Sequence, residues 1–346
     1  GLVYYSLEEG DQALKYWDIC LKNKFPFLAL YTGMADIYRT QGLIERDREV
    51  LEFYRDNISD SASIHLYLST HFRCKGDLDS AAKELDKAIT LDPTYRYIPR
   101  WKGYLAYYKD DFAETLVELQ KLAEENDPEI ALTGLADLGL LGWTRGKIKD
   151  LENIFRKGLA LAKTAGMKGS EAEFHIELAH FYLRTGQADK ALAECQSAWV
   201  AAVEATSDYW QREAVFARGL VHAESGNLAE AQKVAAELKR LVDEGLAKKE
   251  STRLYLGLMG AIEFEKKKYA GAVDHFEKVV GTLTKNPYQQ SAFFLNRLAE
   301  AYFKAGNPDK AQEQYEKITR LTLGRMDDGE AYAKSYYRLG TIYEQN

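Results

Sequence analysis

Tyr4, Tyr38, Phe72, Ala106, Gly142, Tyr182, His222, Glu263, Tyr302 and Tyr343 stand at a nearly fixed step along this chain. The first three steps are 34 residues each, and the later ones are 36, 40, 40, 41, 39 and 41. A period in this range marks a repeat array. A unit of that size cannot bury its apolar face alone and must stack on copies of itself.

The surroundings of each ladder position recur as well. Around Tyr302 stand Leu295, Leu298 and Ala299, then Gly306, Ala311, Tyr315 and Ile318. Phe72 repeats the frame with His65, Leu68, Ser69, Gly76, Ala81, Leu85 and Ala88, and Tyr182 with His175, Leu178, Ala179, Gly186, Ala191, Cys195 and Ala198. Spacings of three, four and seven place side chains on one helix face, so each unit opens with an amphipathic helix. The following glycine suits the left-handed conformation that ends a helix. A short polar link such as Gly76-Asp77 or Gly226-Asn227 then opens a second amphipathic helix. Ala81, Ala191, Ala231, Ala272 and Ala311 fall where the second helix crosses the first, and a small side chain there lets the backbones approach. Asp47, Thr115 and Leu151 replace it in other units, and local repacking is expected there.

These residues resemble the tetratricopeptide repeat, with Ile64 to Pro93 as the best-matching unit. The resemblance spans the chain and implies an all-α, right-handed α-solenoid of about nine helix-turn-helix units, with a partial unit at each end. Residues 1–128 carry the 34-residue type. Residues 129–346 carry longer units of about 40, with longer helices or longer loops, and one continuous superhelix is expected. Long second helices are expected at Leu151–Lys168, Ala188–Thr206 and Leu228–Lys249. The stretch 163–171, KTAGMKGSE, is the best hinge or loop candidate. Gly1 and Asn346 both cut a repeat in mid-helix, so a piece of a longer chain is expected. Uncapped ends of that kind also offer a route to self-association.

Residues 298–345 resemble, more narrowly, the repeat region that follows bacterial serine/threonine protein kinase domains and related signalling modules. That resemblance implies a sensor or scaffold segment whose catalytic domain lies elsewhere. No Gly-rich phosphate loop, His-Arg-Asp or Asp-Phe-Gly occurs in the chain.

Composition agrees with a helical repeat protein: six prolines in 346 residues, a net charge of −7 and no strand-type alternation. That charge argues against a general nucleic-acid binder. No apolar run approaches the roughly 18 residues of a membrane span, and no signal peptide is visible. Cys20, Cys74 and Cys195 form no disulfide framework and weakly favour a reducing compartment, hence the cytoplasm. A membrane-kinase parent would allow a location outside it.

No catalytic or metal arrangement stands out, and no cofactor is expected. His65 and His71 are six apart and His175 and His180 five apart, which does not suit one helix face, and His65, His175 and His222 fall on core positions. The reading is therefore non-enzymatic: a scaffold that binds a protein or peptide in the concave groove lined by first helices. The exposed groove positions lie nine, six and two before each ladder residue and one and two after it. They hold Tyr97, Arg100, Tyr104, Tyr107 and Tyr108, with Arg39, Arg73 and Arg184 in the same lane. Leu140 and Trp143 follow in the fifth unit, and Phe264, Phe293, Asn296, Phe303 and Tyr337 beyond it. Rings supply large contact area and arginine pairs carboxylates bidentately. The same aromatics would equally serve by packing between repeats. The Lys/Asn clamp with which some tetratricopeptide proteins grip C-terminal carboxylates is missing, since the matching positions hold Thr32, Asp36, Leu66 and Thr70. Competing readings are a sensory segment of a larger signalling enzyme and a small-molecule pocket rimmed by Arg100 and Arg73.

Overall fold

The computed structural model describes residues 2, 4, 10–244, 248–283, 291–321 and 324–345. Among these residues all regular structure is helical. The chain divides into two compact units. One comprises Gly1–Leu122 with Arg320–Arg325, and the other comprises Ala123–Leu283, Ser291–Thr319 and Met326–Asn346.

The first unit holds α1 (Gly10–Lys22), α2 (Leu28–Thr40), α3 (Ile44–Asn57), α4 (Ala62–Cys74), α5 (Leu78–Leu91), α6 (Ile98–Tyr108) and α7 (Phe112–Ala123). The second holds α8 (Pro128–Thr144), α9 (Ile148–Thr164), α10 (Lys168–Arg184), α11 (Ala188–Glu204), α12 (Asp208–Glu224), α13 (Leu228–Glu244), α14 (Lys248–Glu265), α15 (Tyr269–Gly281), α16 (Ala292–Lys304) and α17 (Pro308–Thr319). A single turn, α18 (Gly324–Asp327), precedes the last helix, α19 (Gly329–Gln345). Within each unit most consecutive helices pack against one another, and several first helices also touch the next first helix. Each unit is thus an α-solenoid of stacked hairpins.

The ladder residue owes its regular spacing to its main chain. The carbonyls of Tyr38, Phe72, Ala106, Gly142, Tyr182, His222, Glu263 and Tyr302 each accept the N–H of the residue five positions on, at 2.8–3.0 Å. The residue four positions on is left-handed, with φ between 60° and 80°. This is the six-to-one bond of a Schellman cap, and it satisfies carbonyls the helix end would leave orphaned. Glycine fills the left-handed site in most units, but Asp110 (φ 62°) and Lys267 (φ 60°) hold it in two. A β-carbon there costs about 1–2 kcal/mol, and glycine's freer unfolded chain offsets part of any gain. Lys267→Gly is therefore expected to stabilise the second unit by about 0.5–1 kcal/mol. A guanidinium midpoint that falls instead would refute the strain.

From Gly142 to Glu263 the longer period comes from the helices, whereas α15, α16 and α17 beyond it are only 12 or 13 residues. Helices α8 to α13 are 17 residues each, whereas α2 to α5 are 13 or 14. One extra turn in both helices of a pair adds about 7 residues, which accounts for the lengthened step. The expected helix Leu151–Lys168 is α9, ending at Thr164, and Ala188–Thr206 is α11. Leu228–Lys249 begins as α13, but 245–247 lie outside the described residues. Gly1 and Asn346, on which the reading of interrupted end repeats rests, lie outside them too. The hinge or loop candidate 163–171 narrows to a three-residue loop. Only Ala165, Gly166 and Met167 interrupt the helices, and Gly166 (φ 70°) makes the same cap as its counterparts, with the Met167 N–H bonded to the Ala162 carbonyl at 2.9 Å.

The crossing residues behave as expected. Ala81, Ala191, Ala231, Ala272 and Ala311 are fully buried. Where they are replaced, compensation is local. Leu151 fills the crossing, and a β-carbon added at ladder residue Gly142 would lie 2.6 Å from its Cδ2. Asp47 is buried at the crossing and accepts from Arg39 Nε at 3.0 Å and His71 Nδ1 at 3.1 Å. His65 and His175 are core residues whose Nδ1 atoms meet Glu84 and Glu194 at 2.5 and 2.6 Å.

The last helix departs from a simple array. Helix α19 packs on α16 and α17 and also on α8, the opening helix of the same unit. Gly329 abuts the end of α8 so closely that an added β-carbon would lie 2.2 Å from Thr144 Oγ1. The unit therefore closes on itself through α19.

Candidate functional site

First helices α8, α10, α12, α14 and α16, together with α19, line an open-sided cavity of about 750 Å3 in the second unit. Trp143, Phe216, Phe264 and Phe293 supply aromatic walls, and Tyr337 stands exposed at the edge. Acidic lining residues outnumber basic ones by seven to four.

The basic groups are committed. Arg297 pairs with Glu224. Arg184 meets Glu330 at 3.4 Å and Glu224 at 3.9 Å. Arg338 donates twice to Glu300, at 2.8 and 3.0 Å, and lies over the Phe303 ring. Lys334 bonds Glu330 at 2.6 Å. The Arg184–Glu330 and Arg338–Glu300 pairs tie α19 to α10 and α16. The Phe293 N–H adds a further tie, donating to Asp328 at 2.9 Å.

The titratable groups divide by partner. Burial works against the charge of Glu224, but Arg297 and then Arg184 outweigh it and hold the carboxyl below its ordinary range. Burial and then the charge of Glu173 push Glu177 up to about 7, and a hydrogen bond from the Trp143 side chain offsets only part of that rise. Burial and then repulsion from Glu224 raise Glu265 as well, with Arg297 opposing. Burial and then Arg184 push His180 down to about 4. Asn296 Oδ1 is buried without a hydrogen-bond partner. Glu177, Glu265 and Asn296 thus leave part of the cavity's acceptor capacity unfilled.

The first unit has its own pocket, of about 560 Å3, lined by α2, α4 and α6. Arg39, Arg73, Arg100 and Tyr104 line it beside Asp36, Tyr67, Thr70 and Trp101. The Trp101 indole donates to the Leu66 carbonyl at 3.0 Å and to Thr70 Oγ1 at 3.1 Å, which fixes the ring as a wall.

The groove residues read from the sequence thus fall into two places. Arg39, Arg73, Arg100 and Tyr104 meet in the first unit. Leu140, Trp143, Arg184, Phe264, Phe293, Asn296 and Tyr337 meet in the second. The expected exposure is corrected for three residues: Tyr107 is fully buried, with its hydroxyl donating to the Arg325 carbonyl at 3.1 Å, and Arg39 and Arg73 are 7% and 6% exposed. Neither Tyr97 nor Tyr108 lines the pocket, although the Arg73 guanidinium lies 5.6 Å from the Tyr108 ring centre.

One lane escaped the sequence reading. Positions five before the ladder residue supply Glu177, Arg297 and Arg338 to the second unit's cavity, and Gly33, Tyr67 and Trp101 to the first unit's pocket. Helical spacing carried the signal, since nine, five and two before, then two after, are steps of four, three and four on one face.

Two segments, 172–197 and 294–325, match tetratricopeptide repeat family models. Those two segments carry tetratricopeptide repeats. Solved structures agree on this fold. The repeat chain aligns with a signal transduction ATPase with numerous domains from Pyrococcus horikoshii, described with a tetratricopeptide repeat sensor, at TM-score 0.52 and 20% identity over 74% of its length. It spans 43% of that protein. A Rap protein solved with competence and sporulation factor aligns at TM-score 0.50 and 16% identity, covering 98% of both chains. NprR, solved with its cognate peptide NprX, aligns at TM-score 0.50 and 18% identity over 97% of this chain and 84% of that one. Comparison with curated proteins finds no match. None of the three structures is described as part of a protein kinase. No helix among the described residues is long and apolar enough to cross a membrane.

Proposed function

We propose that this protein is a non-catalytic peptide-binding repeat module, and that the second unit's cavity receives a segment carrying a basic side chain flanked by apolar ones. The observation that carries this reading is the pair of carboxylates lining the cavity, Glu177 half-buried and Glu265 more exposed, set among aromatic walls with no basic side chain in ion-pair contact among the described residues. A carboxylate partly withdrawn from water without a cation carries a desolvation cost, and a ligand cation offsets it while its apolar neighbours fill the aromatic walls. The NprR structure, solved with its cognate peptide, supports peptide binding on this fold, and the Rap structure was solved with competence and sporulation factor.

The reading predicts selectivity by charge. Capped pentapeptides Ac-Ala-Phe-Arg-Leu-Ala-NH2 and Ac-Ala-Phe-Glu-Leu-Ala-NH2, titrated calorimetrically at pH 8, should differ at least tenfold in Kd in favour of arginine. The double variant Glu177→Gln/Glu265→Gln should abolish the difference. Equal affinity of the two peptides for the unaltered protein would sink the proposal.

A second reading has one observation behind it. Helix α19 is held to α10 and α16 largely by ion pairs, so a ligand that competes for Arg184 or Arg338 would release it. Such a release suits a sensor segment within a larger signalling protein, in the manner of the repeat sensor described for the P. horikoshii protein. Deuterium uptake in α19 that is unchanged by bound peptide would remove this second reading and leave the first standing.

A further inference from the structure

We infer that the first unit holds a separate site for an anionic group, with the Arg73 guanidinium as its anchor and an acidic side chain of a peptide as the ligand. Arg73 is 6% exposed, and its Nε has no hydrogen-bond partner. No carboxylate of the described residues lies within ion-pair distance of it. Its charge is met instead by ring faces, with the Tyr104 centre at 4.9 Å and the Tyr108 centre at 5.6 Å.

The other charges of the pocket do not supply a counter-ion. Arg39 is engaged by Asp47 at 3.0 Å and by Asp36 at 3.7 Å, so Asp36 serves Arg39. Arg100 lies 5.2 Å from the Tyr104 ring centre and donates to the Tyr104 hydroxyl at 2.9 Å. The Tyr104 ring therefore takes part in contacts with two guanidinium groups. A buried guanidinium with only ring faces for company is under-compensated, and a carboxylate accepts its fork in two parallel hydrogen bonds.

The pocket's size favours a side chain with its flanking residues over a free ion. It measures about 560 Å3, and a carboxylate alone would leave most of that space open. Tyr67 and Trp101 offer apolar walls, and the Thr32 and Thr70 hydroxyls offer polar contacts for a peptide main chain. The site's polarity is opposite to that of the second unit's cavity, and it depends on none of that cavity's residues.

The probes are the capped peptides Ac-Gly-Phe-Glu-Phe-Gly-NH2 and its glutamine counterpart, with glutarate and inorganic phosphate as free anions. Fluorescence of Trp101 is one readout and calorimetry the other. The glutamate peptide should bind at least tenfold more tightly than the glutamine one, and more tightly than either free anion. Arg73→Met should remove that preference, and Arg73→Lys should keep part of it. Far-UV circular dichroism and hydrogen exchange in α4 establish that each variant is folded. Should Arg73→Met fail that test, Arg100→Gln in the folded protein must reduce the glutamate preference at least threefold. Equal binding of the two peptides, or glutarate and phosphate binding as tightly as the glutamate peptide, would overturn the inference. Glu177→Gln must leave these affinities unchanged, which separates failure here from failure in the second unit.

Discussion

Asp47→Ala is expected to destabilise the first unit by about 3–5 kcal/mol. Asp47 is fully buried and is the shared acceptor of Arg39 and His71, two side chains that are themselves buried. Burial works against the Arg39 charge, but the Asp47 carboxylate outweighs it and keeps the guanidinium protonated. Without that carboxylate, Arg39 retains only Asp36, at 3.7 Å and half-exposed. The cost is mostly that of a stranded buried charge and much less the loss of a favourable pair. A double variant should show this. Arg39→Leu in the Asp47→Ala background should recover most of the loss, because no charge is then left unpaired. Guanidinium unfolding with hydrogen exchange in α2, α3 and α4 measures both. A loss in Asp47→Ala of under 1 kcal/mol, or no recovery in the double variant, would show that the pair is not the joint's support.

Glu177→Gln should be nearly neutral to stability at pH 4.5 and stabilising by about 1–3 kcal/mol at pH 8. The folded-state carboxyl is raised from its ordinary 4.5 to about 7 by burial and by Glu173. Its favourable contribution is therefore fully present below pH 4.5 and is lost as pH rises through 7, where the buried group must ionise. Glutamine does not ionise, so the variant escapes that loss. The lower end of the range reflects the carboxyl's partial opening to the cavity. His180, pushed down to about 4, weakens the fold as pH falls below its ordinary 6.5, but it is present in both proteins and cancels in the difference. Unfolding curves for the two proteins at pH 4.5 and pH 8 give the comparison. A pH-independent difference would mean that Glu177 does not titrate in the folded unit. The arginine-containing peptide should bind more tightly at pH 8 than at pH 5.5 for the same reason, because its cation needs the ionised carboxylate.

The helical hairpins were legible because their marks are local. A glycine four residues past the ladder position and an alanine nine past it specify a cap and a crossing without knowledge of neighbours. The longer second helices were also legible, since a whole added turn keeps the apolar stripe in phase. What could not be read was compensation between positions. Gly142 looks like a broken ladder position until Leu151 is seen filling the space a larger residue would take. Tyr107 looks like a groove residue because its lane is right, yet its hydroxyl reaches the Arg325 carbonyl, more than two hundred residues along the chain. The return of α19 onto α8 was equally hidden, as it depends on the curvature of a whole stack. That return makes α19 one wall of the acidic cavity, and it brings Arg338 and Glu330 to residues their own repeat does not contain.

The joint at the ladder positions is made by a peptide carbonyl, and a carbonyl is the same in every amino acid. Selection can therefore rewrite the side chain there, from tyrosine to alanine, glycine, histidine or glutamate, without unmaking the joint. It can also lengthen both arms by a turn and leave the joint in phase. Units of the two lengths should then be interchangeable parts. A 40-residue hairpin grafted into the short array would meet its neighbour with the same chain geometry at the seam, and only the depth of the wall it presents would change.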